Sequence, residues 1–150
     1  MAPLKRILLA EDNERDVELT LAALEEYNLA NEVVVARDGA EALDYLLHRG
    51  KHAEHSNGAP VVVLLDLKMP KVDGLEVLRV MRNDPNLKTI PVVMITSSRE
   101  EQDLVRSYQL GVNAYVVKPV DFTKFVESIK QIGFFWAIIN EPPPGAMKRA

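Results

Sequence analysis

At 150 residues, 47% hydrophobic and 27% charged, the chain has the size and balance of one domain with a substantial core, and too little length for two. A net charge of -4 gives no basic footprint for nucleic acid, and the lack of cysteine excludes disulfide frameworks, thiolate zinc sites and thiol nucleophiles. No apolar run approaches the ~18 to 20 residues of a membrane span and Met1 to Arg6 carries no secretory hydrophobic region, so no membrane association and a cytoplasmic location are expected.

The first apolar run, Ile7-Leu8-Leu9-Ala10, ends in Glu11-Asp12-Asn13 and reads as a buried strand that delivers carboxylates. Asp12 or Asn13 then caps a helix whose stripe is Val17, Leu21 and Leu24, with Arg15, Glu18, Glu25 and Glu26 facing water. Val33 to Ala36 is a second strand, and Asp38-Gly39 opens a helix marked by Leu43, Leu46 and Leu47. The polar stretch Arg49 to Pro60 follows. His48, His52 and His55 gather at its start; imidazoles suit zinc or nickel, but without cysteine or fixed helical spacing a solvated loop is the expectation.

Val61-Val62-Val63-Leu64-Leu65 is the most apolar strand of the chain, and a run of branched residues belongs in the middle of a parallel sheet covered on both faces. It ends at Asp66. A tight loop to Gly74 leads into a helix with Gly74, Val77, Leu78 and Met81 on one face. Pro91 to Ile95 is the fourth strand, ending in Thr96-Ser97-Ser98, where Ser98 with Glu101 or Ser97 with Glu100 fits a capping box for a helix carrying Leu104, Tyr108 and Gly111. Tyr115 to Val117 is the fifth, ended by Lys118-Pro119. The last helix starts near Asp121 with Phe122, Phe125, Val126 and Ile129 inward, in register with Trp136. Beyond Gly133 it turns apolar on nearly every side, through Phe134, Phe135, Ile138 and Ile139. Such an end needs a partner surface, unless it folds back on its own core.

Strands alternating with helices specify a doubly wound α/β fold with a five-stranded parallel sheet; the flavodoxin-like order 2-1-3-4-5 makes strands one and three neighbours at the switch point. Glu11, Asp12 and Asp66 would then share one crevice, with Thr96 and Lys118 arriving from the next two strand tips. Crowded carboxylates repel unless a cation compensates. A hard divalent ion, Mg2+, accepts oxygen ligands and leaves room for a phosphate oxygen. Lys118 adds a second positive point, Thr96 a hydroxyl donor, and Asp66 a nucleophile suited to aspartyl phosphate chemistry.

Glu11-Asp12, Asp66 within Leu-Leu-Asp-Leu-Lys-Met-Pro-Lys-Val-Asp-Gly, Thr96-Ser97 and Tyr115-Val-Val-Lys118-Pro119 together resemble the receiver domain of two-component response regulators, over about residues 5 to 132. The resemblance implies Asp66 as phospho-acceptor for a sensor histidine kinase. It implies Mg2+ held by Asp12, Asp66 and the Lys68 carbonyl, with Glu11 acting through water. Lys118 would contact the phosphoryl group, Thr96 and Tyr115 would form the switch pair, and Lys118-Pro119 would be cis. The long loop before strand three and Phe134-Phe135-Trp136 further resemble single-domain regulators of phytochrome-type kinases, which implies a homodimer through Phe134, Phe135, Trp136, Ile138 and Ile139. Residues 1–140 are read as the receiver with its helical extension and 141–150 as a Pro-rich tail with no output domain. Lys68, at a position where the family varies, is expected to hinder the hydrolytic water and prolong the phosphorylated state. The rivals are a dimeric scaffold in which phosphorylation is silent, a flavin carrier, and an aspartyl-phosphate hydrolase of the haloacid dehalogenase kind, which would want an aspartate where Lys68 stands.

Overall fold

Strand formation follows the apolar runs. In the computed structural model, which describes residues 4–26, 32–55, 58–144 and 147–148, β1 (Leu4–Ala10), β2 (Glu32–Ala36), β3 (Val62–Leu65), β4 (Val92–Thr96) and β5 (Ala114–Val117) pair in parallel in the order β2-β1-β3-β4-β5. The expected order is therefore observed. Every residue of β3 and β4 is buried. Successive side chains of a strand face opposite ways, which divides the core in two. Leu8, Val63, Leu65 and Met94 meet Leu43, Leu78 and Met81 on one face, while Ile7, Leu9, Leu64 and Ile95 meet Val17, Leu24, Phe125 and Ile129 on the other. Removing such a buried side chain, as in Leu64→Ala, costs about 2–5 kcal/mol.

A two-residue strand β6 (Met147–Lys148) adds to the five, antiparallel to β1 through Leu4↔Lys148 and Lys5↔Met147. Those two positions of β1 precede the registers with β2 and β3, which begin at Arg6 and Ile7, so β6 pairs backbone groups left open by the parallel strands. Residues 1–3, Gly145 and Arg149 of the readings above lie outside the described residues.

The helices are α1 (Glu14–Glu26), α2 (Gly39–Leu46), α3 (Gly74–Asn83), α4 (Glu101–Gln109) and α5 (Phe122–Gly133), the last continuing as one π-helical turn over Phe134–Ile139. Asn13, not Asp12, caps α1 by accepting the Asp16 N–H at 3.0 Å; Asp38, Asp73 and Asp121 cap α2, α3 and α5 in the same way. The stripe of α3 is buried as expected. On α1 Val17 and Leu24 are buried, Thr20 and Ala23 complete the face, and Leu21 is half-buried.

Three expectations are corrected. No capping box opens α4: Glu100 occupies the cap without a side-chain bond, because the Ser98 hydroxyl is taken by the Asp103 carboxylate. The face of α4 is also inverted, with Asp103 and Ser107 buried and Leu104, Val105 and Tyr108 exposed. Phe122 is likewise exposed, since it begins α5 before the helix crosses the sheet.

The histidine stretch is an ordered cluster, not the solvated loop expected. His55 stacks on the buried Tyr45 at 4.3 Å and His48 on His55 at 4.0 Å, while ring nitrogens meet the His55 carbonyl, the Tyr45 carbonyl and the Glu41 carboxylate. Burial favours protonated Glu41, but the Lys51 ammonium, the Arg37 N–H and His52 outweigh it and hold its pKa at about 2, below the usual 4.5. A lowered carboxylate pKa contributes stability that is present above pH 4.5 and lost as pH falls toward about 2. Glu41→Gln is therefore expected to lower the urea midpoint at pH 7 and to flatten its acid dependence across that window; an unchanged acid slope would contradict the assignment.

Candidate functional site

The site is assembled by register. Ala10 pairs with Leu65, and the residues that follow, Glu11 and Asp66, leave the sheet side by side. The Asp66 N–H donates to the Ala10 carbonyl at 3.0 Å and the Glu11 N–H to the Ala36 carbonyl at 2.9 Å. Behind Asp66 the loop closes through the Gly74 N–H and the Leu67 carbonyl at 2.8 Å. A Cβ at Gly74 would lie 2.3 Å from the Asp66 carbonyl oxygen, so no larger residue fits without moving the strand tip. With Asn13 capping α1, the exposed Asp12 carboxylate is free to turn to its neighbours. One carboxylate oxygen from each of Glu11, Asp12 and Asp66 lies within 4.8 Å of the others, and no other cluster of metal-binding type occurs among the described residues.

Lys118 enters from β5, where its N–H donates to the Thr96 carbonyl at 2.7 Å. Its Nζ lies 2.6 Å from Glu11 Oε1, 2.9 Å from Asp16 Oδ2 and 3.6 Å from Asp66 Oδ2. Burial alone would favour the neutral amine, but the hydrogen bonds that the ammonium donates to Glu11 and Asp16 and the charge of Asp66 push the Lys118 pKa well above the lysine range. Burial and the neighbouring Asp66 raise Glu11 to about 7 despite the opposing pull of Lys118 and the Asn13 N–H. One ammonium thus does not neutralise the group. The donor set, hard oxygens with negative charge in excess, fits a divalent cation such as magnesium, and residues Glu11, Asp12 and Asp66 could hold it.

The remaining expected residues lie around this cluster. Thr96 is buried and its hydroxyl oxygen accepts the Ser98 N–H at 3.3 Å; the Tyr115 hydroxyl donates to the Ser98 carbonyl at 3.1 Å. Both members of the expected switch pair therefore meet at Ser98. The Lys68 side chain turns toward Asp103, 3.8 Å away. The Lys118-Pro119 bond is trans, since no cis peptide occurs among the described residues, which corrects the implied cis bond in favour of the isomer that is lower by about 0.5–1 kcal/mol for X-Pro. At the C-terminal extension Phe134, Phe135, Ile138 and Ile139 are exposed, whereas Trp136 packs on the chain's own core and Ala137 is buried. Asp16 and Asp103 were not anticipated. Asp16 stands one helical turn after Asp12, and that spacing was the available signal.

Residues 7–130 match the response regulator receiver domain. The chain belongs to this family. Response regulator Rcp1 of Synechocystis sp. is 37% identical over 134 residues, 89% of this chain and 90% of the relative. The Mn(2+)-bound form of Rcp1 superposes with a TM-score of 0.87, covering 93% of this chain and 99% of that one. The phosphorylated cyanobacterial phytochrome response regulator RcpA gives 0.88 at 41% identity, over the same shares of both chains. The bacteriophytochrome response regulator AtBRR is 65% identical with a TM-score of 0.73, over 92% and 99%. As a receiver, the chain is a signalling acceptor that works with a histidine kinase rather than a conventional enzyme, and the family binds a divalent metal. No helix of the described residues is long and apolar enough to cross a membrane.

Lys118 thus compensates a crowd of carboxylates. Lys118→Met is expected to lower stability by about 3 kcal/mol in chelator-treated buffer at pH 7, and magnesium should recover part of that loss by supplying the missing charge. Urea unfolding in both buffers checks this, and a loss unaffected by magnesium would contradict it.

Proposed function

We propose that Asp66 accepts a phosphoryl group from the phosphohistidine of a sensor kinase of phytochrome type. The observation that carries this reading is the convergence of Glu11, Asp12 and Asp66 oxygens within 4.8 Å, opposite an ammonium 3.6 Å from Asp66. An Asp66 carboxylate oxygen bonds phosphorus as the N–P bond breaks, and the kinase imidazole leaves with that electron pair. Magnesium, when bound, neutralises charge on the transferring oxygens. Asp12, Asp66 and the Lys68 carbonyl are its proposed ligands, with Glu11 acting through water. Lys118 orients the phosphoryl group. The chain would catalyse only its own phosphorylation and dephosphorylation. The phytochrome assignment is supported by the likeness to RcpA, a cyanobacterial phytochrome response regulator, and to AtBRR, a bacteriophytochrome response regulator; the proposed location is the cytoplasm, where such a kinase would meet it.

Phosphorylation adds about -1.5 to -2 charge. A Thr96 hydroxyl bond to that group is worth roughly 1.5–3 kcal/mol, enough to bias two states that differ by a few kcal/mol. Because Thr96 and Tyr115 share Ser98 as partner, turning the Thr96 hydroxyl toward Asp66 releases the Ser98 N–H and loosens the residue whose carbonyl Tyr115 bonds. Asp66→Asn is expected to abolish labelling by acetyl phosphate or kinase; retained labelling would refute the assignment.

Residues 1–140 form the proposed signalling unit, with 141–150 as its tail. The outward Phe134, Phe135, Ile138 and Ile139 support a homodimer through this extension. Trp136, placed in that interface from the sequence, instead braces the helix against its own core. Phe134→Asp with Ile138→Asp leaves that inner face intact and is expected to give a monomer in sedimentation; a persisting dimer would remove the extension as the interface.

A further inference from the structure

Asp103 lies on the inner face of α4, only 5% exposed, and takes no part in the chemistry above. Its Oδ2 accepts the Ser98 hydroxyl at 2.6 Å and stands 3.8 Å from Lys68 Nζ. The Ser107 hydroxyl donates to the Asp103 carbonyl at 2.8 Å, which fixes the turn of helix that carries it. Burying a carboxylate is costly unless it is paired and hydrogen-bonded, and among the described residues the cation within ion-pair reach of Asp103 is Lys68. Lys68 follows Asp66 by two residues and Ser98 follows Thr96 by two. One carboxylate on α4 therefore grips both loops that border the proposed phospho-acceptor.

We propose that Asp103 is a positioning residue that holds the Lys68 ammonium away from Asp66, slowing phosphoryl gain and, once the group is in place, competing for the side chain that shields it from water. The proposal rests on Asp66 being the acceptor. Lys68 is 67% exposed, so its long stem can swing between two anions, and a phosphoryl group with about -1.5 to -2 charge attracts it more than a single carboxylate does. In hydrolysis a water oxygen bonds phosphorus as the P–O bond to Asp66 breaks; the carboxylate leaves and the water proton passes to solvent. A lysine drawn over the phosphoryl group stands in the path of that water. With Lys68 withdrawn, Asp103 retains the Ser98 hydroxyl but loses its counter-charge, and the seat of α4 weakens as the acceptor is charged.

Asp103→Asn keeps the size of the side chain and an oxygen for Ser98 while removing the pull on Lys68. Labelling by acetyl phosphate in magnesium buffer is expected to quicken, and decay of the phosphoprotein to slow, each by about two- to fivefold, the range of a partly exposed ion pair. Both changes should vanish in a Lys68→Gln background and shrink in 1 M salt, where the Debye length is about 3 Å. A merely structural role for Asp103 would give the same shifts with or without Lys68, and that result, or no shift at all, overturns the proposal. Lys68→Gln alone, made at an exposed side chain, must itself quicken decay; unchanged decay also overturns it. If no variant and no wild type labels, the acceptor assignment fails instead. The ion pair is then judged by a double-mutant cycle in urea unfolding, where a coupling of about two- to fivefold in the unfolding constant is expected and none overturns it.

Discussion

The site depends on the Lys118 ammonium standing among Glu11, Asp16 and Asp66. The carboxylates of Glu11, Asp12 and Asp66, two of them buried, are close enough to repel unless a cation compensates, and even with Lys118 present Glu11 is pushed up to about 7 by burial and by Asp66. The protein therefore folds with a deficit of positive charge at one end of its sheet. That deficit makes the crevice receptive to a divalent ion, and the backbone of Lys118, held at the strand tip by Thr96, sets the point from which its side chain brings the second positive charge.

Such crowding is sustained by a scaffold that does not yield. β1, β3 and β4 are covered on both faces by close-packed aliphatic side chains, and packed interiors resist small displacements. The pairing of Ala10 with Leu65 and of Thr96 with Val117 then brings four strand tips to one edge. Gly74 completes the arrangement, because α3 starts so close to the Asp66 carbonyl that a methyl group has no room. The carboxylates cannot relax apart, and their repulsion is left to be met by cations.

Much of this was legible in the sequence. Glu11, Asp66, Thr96 and Lys118 each follow or end an apolar run long enough to be a strand, so topology alone carries them to a common edge. Side-chain pairings across the fold were not legible. Arg82 donates to the carbonyls of Gly111, Lys88 and Ile90 and to the Asn113 side chain, tying the end of α3 to two loops, yet in sequence it reads as the basic end of a helix. The histidines looked like loop residues because stacking on Tyr45 has no periodic signature. On α4 the hydrophobic pattern pointed outward, since Asp103 and Ser107 take the inner positions with their polar groups satisfied, and periodicity rewards only apolar faces.

That inversion gives α4 a mechanical character of its own. The other helices are seated by Val17 and Leu24, Ala42 and Leu43, Leu78 and Met81, or Phe125 and Ile129, and their docking would change little with a charge at the crevice. α4 buries no apolar residue of its own; its buried Asp103 carboxylate reaches outside the helix to the Ser98 hydroxyl and the Lys68 ammonium. Hydrogen bonds and ion pairs exchange partners at a net cost of about 1 kcal/mol each, whereas displacing a buried leucine costs several times more. The polar contacts of Asp103 lead to Lys68 and Ser98, on the two loops that border Asp66, so α4 is tied to the crevice by polar contacts while Leu104, Val105 and Tyr108 stay exposed on its outer face.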